Sequence, residues 1–289
     1  MNEKNRQVLA RDKQEARATG AYRSRYPLQT KEDVMTDNTR KIALVTGGSR
    51  GLGAATALAL GARGVSTIIT YRADKEAADR TVAQIVGKGG QAAALALDTG
   101  VVSSFPAFVN ELQAVLQANF GRDRIDYLIN NAGHGLNKPF ADVTEDEFDR
   151  LMQVHFKGVF FLTQALLPVI ADGGRIVNLS SGLARFALPG FSAYASMKGA
   201  IEVLTRYLAK ELGARGIAVN TVAPGAIETD FGGGAVRDNK PLNDMVRSVT
   251  ALGRAGVPDD IGPMIASLLS EDNRWINGQR IEVSGGMFV

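Results

Sequence analysis

The chain has 289 residues, 45% of them hydrophobic and 22% charged, enough apolar material for a sizeable globular core. Its net charge is +3, from 33 Lys and Arg against 30 Asp and Glu, so no strong field for nucleic acid is expected. The absence of cysteine excludes a disulfide framework and thiol chemistry and fits a reducing cytoplasm, and no apolar run is long enough to span a bilayer.

Residues 1–40 hold nine basic and six acidic side chains and lack apolar periodicity. They are expected to form a polar, disordered extension. Met35 would serve as a start, so the first 34 residues read as an over-long gene start or a dispensable extension. The other reading is a basic arm that touches an anionic partner or a neighbouring subunit.

From residue 41 strand and helix patterns alternate. IALVT (42–46) reads as a strand, 51–63 as a helix, VSTIITY (65–71) as a strand and 74–88 as a helix. QAAALAL (91–97), IDYLIN (125–130), RIVNLS (175–180), GIAVNTV (216–222) and QRIEVSG near the end read as further strands. Helices are expected over 103–119, 144–170, 193–213 and 258–269, with a loop-rich stretch after 222. Near-continuous apolar strands separated by helices mean βαβ units and a parallel sheet buried on both faces. The expected fold is α/β, with residues 41–289 as one doubly wound, Rossmann-type domain around a seven-stranded, mostly parallel sheet.

The first strand-to-helix turn, TGGSRGLG (46–53), places Gly47, Gly51 and Gly53 where such a sheet opens a ligand crevice. Glycines there let the backbone turn tightly and approach a phosphate, which the following helix N-terminus attracts. Arg50 sits inside the turn, and Tyr71-Arg72 closes the second strand, where an adenosine ribose would lie. No Asp or Glu occupies 70–73 to accept from a ribose 2′-hydroxyl. Two arginines near one 2′-phosphate favour NADP over NAD. The plain alternative is a pair of solvated surface arginines.

YASMK (194–198) puts Tyr194 and Lys198 four apart, on one face of a predicted helix. A tyrosine hydroxyl ordinarily titrates near ~10, and a neighbouring ammonium is expected to lower that value. Tyr194 could then exchange a proton with a carbonyl or alcohol. Ser181, at the end of a strand, could hydrogen-bond the same oxygen.

TGGSRGLG, NNAG (130–133), Ser181, YASMK and PGAIET (224–229) together resemble the short-chain dehydrogenase/reductases, in the family order and across 41–289, with a 3-oxoacyl-carrier-protein-reductase-like flavour. The resemblance implies NADP(H), a small carbonyl or alcohol substrate and a Ser-Tyr-Lys proton relay. It makes Tyr194 the acid-base residue. Lys198 would tune it and bind the nicotinamide ribose, and Ser181 would orient the substrate oxygen. It further implies cofactor contacts at Ser49 and Leu52 in the turn, at Asp98 and Thr99 beside the adenine, and at Asn131, Ala132 and Gly133. Pro224, Gly225, Ile227 and Thr229 would form the nicotinamide-side loop. The C-terminal stretch resembles the part that usually packs subunits into homotetramers; a dimer is the alternative.

One position departs from the family pattern. VHFKGVFF (154–161) has His155 where an Asn is usual. That Asn serves through its backbone carbonyl, which a histidine keeps. The imidazole is also a candidate catalytic group that could titrate near neutrality, or else a packed histidine at a helix bend. His134 reads as a plain loop residue. Two histidines and no cysteine offer no metal site.

LARFALPGF (183–191) lies between Ser181 and Tyr194, so Leu183, Phe186, Leu188 and Phe191 are expected to wall an apolar pocket. FGGGAVRDNKPLNDM (231–245) reads as a mobile lid. A 3-oxoacyl thioester, a small ketone and a cyclic alcohol all stay open. Three functions do too: a carbonyl reductase, an epimerase or dehydratase on the same fold, and a non-enzymatic NADP-binding sensor.

Overall fold

The computed structural model describes residues 40–289, and the expectations for 1–39 lie outside the described residues. Seven strands form one sheet: β1 Ile42–Val45, β2 Ser66–Tyr71, β3 Ala92–Ala96, β4 Ile125–Asn130, β5 Ile170–Leu179, β6 Ala218–Pro224 and β7 Arg280–Val283. Their order is β3-β2-β1-β4-β5-β6-β7, and every neighbouring pair is parallel. The order reverses between β1 and β4, and a crevice opens there at the carboxyl ends of the strands.

The helices of eight or more residues are α1 Gly51–Ala62, α2 Lys75–Val86, α3 Phe105–Phe120, α4 Glu145–Met152, α5 Gly158–Leu166, α6 Ser192–Glu211, α7 Lys240–Ser248 and α8 Pro258–Leu268. The alternation of β1 sorts its side chains between two cores. Ile42 and Leu44 join Phe105, Leu112 and Leu116 of α3 and Leu162 and Leu166 of α5 on one face. Ala43 and Val45 join Leu60 of α1 and Ile261 and Ile265 of α8 on the other.

The structure corrects the sequence reading in three places. The single helix expected over 144–170 is broken. A π-helical turn, Gln153–Lys157, separates α4 from α5, and a 3₁₀ turn containing Pro168 ends the run, because proline has no N–H to continue it. β5 begins five residues earlier than expected, with a register shift against β4 between Ile125 and Tyr127. The stretch after β6 is less loop-like than expected: the Asn239 side chain accepts from Leu242 N and starts α7.

Candidate active site

The glycine turn sits at the sheet's switch point. Gly51 has φ +54°, and a Cβ on Gly53 would stand 2.2 Å from the Gly47 carbonyl oxygen, so these positions hold only glycine without rearrangement. The α1 N-terminus has no side-chain cap and no acidic residue in its first turn. Its N–H groups and positive dipole end are therefore open to an anion, and the cradle fits a pyrophosphate. Asn131 locks the turn by donating Nδ2 to the carbonyls of Thr46 (2.8 Å) and Gly47 (3.1 Å). Thr46 Oγ1 accepts in return from the N–H groups of Asn131 and Ala132 at 2.9 and 3.0 Å. Asn131 and Ala132 thus shape the cradle from β4. Thr46 has the same duty; it opens the TGGSRGLG motif, but the sequence reading gives it no role of its own.

Arg50 and Arg72 are both exposed, one in the turn and one just past β2, with half-buried Ser49, Leu52 and Tyr71 close by in sequence. Asp74, the nearest carboxylate after β2, is engaged as the α2 cap, accepting from Ala77 N at 2.8 Å. Asp98 closes its own turn through Gly100 N at 2.9 Å, and Thr99 is buried with its carbonyl against Gly158. At the end of β6, Pro224 is buried and Gly225 N bonds Val283 O. Ile227 bridges to Gly256. The Thr229 methyl lies 3.7 Å from where a Cβ on Gly51 would stand, so this loop reaches back to the glycine turn.

Tyr194 and Lys198 lie on one face of α6, with only 7% and 5% of their surface exposed. Lys198 Nζ donates to the Leu179 carbonyl at 2.7 Å and lies 5.6 Å from the centre of the Tyr194 ring. Burial lowers the Lys198 amine to about 7. The expected depression of Tyr194 is not found. Burial pushes the phenol above its ordinary value, and the hydrogen bond from Ser181 offsets only part of that shift. Lys198 Nζ is engaged with the Leu179 carbonyl, and burial dominates at the phenol. Ser181 follows β5 at the head of a 3₁₀ turn, Gly182–Ala184, with Oγ accepting from Leu183 N at 3.2 Å.

His155 lies in the π-helical turn and is 1% exposed. Its Nε2 is 2.7 Å from the His134 carbonyl, and its ring packs so closely on Gly133 that a Cβ there would meet it at 2.5 Å. Burial, and next the Lys198 charge, hold the imidazole well below its ordinary value. Of the two readings of His155, its burial in the π-helical turn favours the packed histidine at a helix bend over a group that titrates near neutrality. His134 is its backbone partner. Among the described residues no group of three His, Cys, Asp or Glu could hold a metal.

An apolar cavity of about 370 Å³ opens beside this site, lined among others by Phe140, Leu183, Leu188, Phe191 and Ala195. Three of the four expected wall residues are there. Phe186 is not, and packs instead on Phe288 with ring centroids 4.7 Å apart. Phe231, the first residue of the glycine-rich segment, lies 5.8 Å from the Tyr194 ring and against Gly135. The sequence reading places this segment over the site as a lid but does not single out Phe231 as its contact with Tyr194.

Residues 47–288 match the family model described as enoyl-(acyl carrier protein) reductase. Versicolorin reductase 1 of Aspergillus parasiticus is 36% identical over 267 residues, covering 88% of this chain and 100% of that protein. The chain belongs to the short-chain dehydrogenase/reductases. Two solved members of the family are similar in structure. The promiscuous reductase LugOII, which catalyses keto-reduction at C1 during lugdunomycin biosynthesis, is 39% identical with a TM-score of 0.81, covering 87% of this chain and 98% of that one. The angucycline C-6 ketoreductase LanV, solved with bound NADP, is 37% identical with a TM-score of 0.82, covering 87% and 97%.

Proposed function

We propose that this short-chain dehydrogenase/reductase is an NADP(H)-dependent ketoreductase, with residues 41–289 as its catalytic domain and Ser181, Tyr194 and Lys198 as its proton relay. The observation that carries the reading is a buried phenol beside a buried amine, with a serine hydroxyl at the phenol. Bound NADPH supplies the hydride to the carbonyl carbon. A phenol raised by burial stays protonated through the neutral range, so Tyr194 is the acid in the reductive direction. Its proton goes to the substrate oxygen, giving an alcohol. The phenolate left behind is stabilised by the Lys198 ammonium, which, titrating at about 7, can return a proton near neutral pH. Ser181 donates to the substrate oxygen and orients it. A non-enzymatic sensor would have no use for this arrangement.

The glycine turn holds the pyrophosphate and Arg50 and Arg72 hold the 2′-phosphate, since the nearest carboxylate, Asp74, is engaged as a cap. Ser49, Leu52, Tyr71, Asp98, Thr99 and residues 131–133 line the rest of the cofactor's path. Pro224, Gly225, Ile227 and Thr229 bound its nicotinamide end. His155 keeps a role through its backbone and its packing on Gly133. A bulky cyclic ketone is the substrate class chosen over a short acyl thioester, and the apolar lining of the adjoining cavity suits it. The versicolorin and angucycline reductases among the relatives support that choice. The apolar exposure of Phe160 and Phe161 on α5 supports a homo-oligomer, tetramer or dimer, and the lack of cysteine supports a cytoplasmic setting. No described helix is long and apolar enough to cross a membrane. NADPH consumption with bicyclic aromatic ketones, small ketones and 3-oxoacyl thioesters tests the reading; fastest turnover on the ring ketones is expected.

A further inference from the structure

Four charged side chains form a chain beside the turn that carries Ser181. Glu202, one helical turn beyond Lys198 on α6, accepts from Ser180 Oγ and from Arg280 Nε, both at 2.7 Å. Arg280, on β7, also donates to Glu282 at 2.8 Å and to the Ser181 carbonyl oxygen at 3.3 Å. Glu282 accepts from two nitrogens of Arg185, each at 2.7 Å. Arg185 donates further to the carbonyls of Met287 at 2.8 Å and Phe288 at 3.1 Å. The Arg185 guanidinium and its neighbours hold the Glu282 carboxyl at about 2, so the Arg185–Glu282–Arg280 link stays charged through the working range.

Phe288 has φ +53°, and among the described residues it is the one non-glycine with positive φ. Bulky residues avoid that region unless their surroundings hold them there. Its ring lies on Phe186, which in turn crowds Gly182, where a Cβ would stand 2.8 Å from the Phe186 ring. Its N–H donates to the Val249 carbonyl at 2.9 Å, and Met287 pairs with Thr250. Residues 287–288 are thus tied on one side to the 181–186 turn. On the other they are tied to the base of the 231–250 segment, whose first aromatic, Phe231, packs on Tyr194.

We propose that Arg185 and Phe288 are positioning residues that fasten the 181–186 turn against the base of the Phe231 segment and so fix where the Ser181 hydroxyl meets the substrate oxygen. The inference rests on the role given to Ser181 above. A hydroxyl on a short 3₁₀ turn has little intrinsic rigidity, and small misplacements at a reacting centre cost large factors in rate.

A double-mutant cycle on the full chain tests this. NADPH consumption is followed with a ketone that the wild type turns over, under single-turnover conditions with enzyme in excess, so that slow variants are still read. Arg185→Gln should slow turnover about tenfold in the wild-type background and less than about twofold in Ser181→Ala, with NADPH affinity unchanged. Phe288→Ala should follow the same pattern, and Phe288→Tyr, which keeps the ring, should restore the rate. Equal losses in both backgrounds would overturn the proposal, because the residues would then act on the fold or on Tyr194. If Arg185→Gln does not fold or bind NADPH, the same cycle with Phe288→Ala decides. A wild type that reduces no ketone would overturn the parent reading first, before any variant is compared.

Discussion

The Tyr194 ring meets the His155 imidazole edge-on, with centroids 5.3 Å apart and planes at 87°. The contact joins the proposed acid to the π-helical turn and, through His134, to the segment after β4. Because burial keeps the imidazole neutral, it packs and donates Nε2–H to the His134 carbonyl but does not titrate in the working range. His155→Asn should therefore leave the shape of the pH–rate profile unmoved. A small rise in KM for NADPH is expected from the lost contact with His134. Disappearance of an acid limb in the variant would show that the imidazole titrates after all.

Lys198 makes a prediction about stability. Its amine titrates at 10.5 in the unfolded chain and at about 7 when buried. Between those values the unfolded state binds more protons, so stability rises with pH, by at most about 1.4 kcal/mol per unit. Below that window both states are protonated and the burial penalty is constant. Urea melts of wild type and Lys198→Met should show the wild type gaining on the variant from neutral pH upward. A flat difference would mean that the amine is not depressed.

Much of this architecture was readable in the sequence because its signals are local. The strand runs are continuous and apolar since both faces are buried, and Gly47, Gly51 and Gly53 announce a turn that no side chain could enter. Tyr194 and Lys198 share a face by helical spacing alone. What stayed hidden depends on contacts between distant segments. The sign of the Tyr194 shift turns on how completely neighbouring elements exclude water. Phe186 leaves the pocket wall because Phe288, about a hundred residues later, offers it a partner. The break at His155 is a backbone irregularity that apolar periodicity does not encode.

Cofactor choice rests on Arg50 and Arg72. Both are exposed, and Asp74 is occupied in capping α2. Arg50→Ala combined with Arg72→Ala should reduce the preference for NADPH over NADH by a factor of about 10–100, each arginine–phosphate contact being worth roughly 1.5–3 kcal/mol before solvent screening. The ratio of kcat/KM with the two cofactors reads this directly, and an unchanged ratio would remove both arginines from the 2′-phosphate site.

The central claim is that the Tyr194 hydroxyl protonates the substrate oxygen. Tyr194→Phe removes that one atom from a buried ring and keeps its packing against His155 and Phe231. The most direct measurement sets ketone-dependent NADPH consumption of this variant beside the wild type, with NADPH affinity measured by fluorescence on the same samples. The account predicts turnover lowered by about a thousandfold or more with NADPH binding within about threefold of wild type. Turnover that survives in the variant would contradict it and move the proton donor to another group.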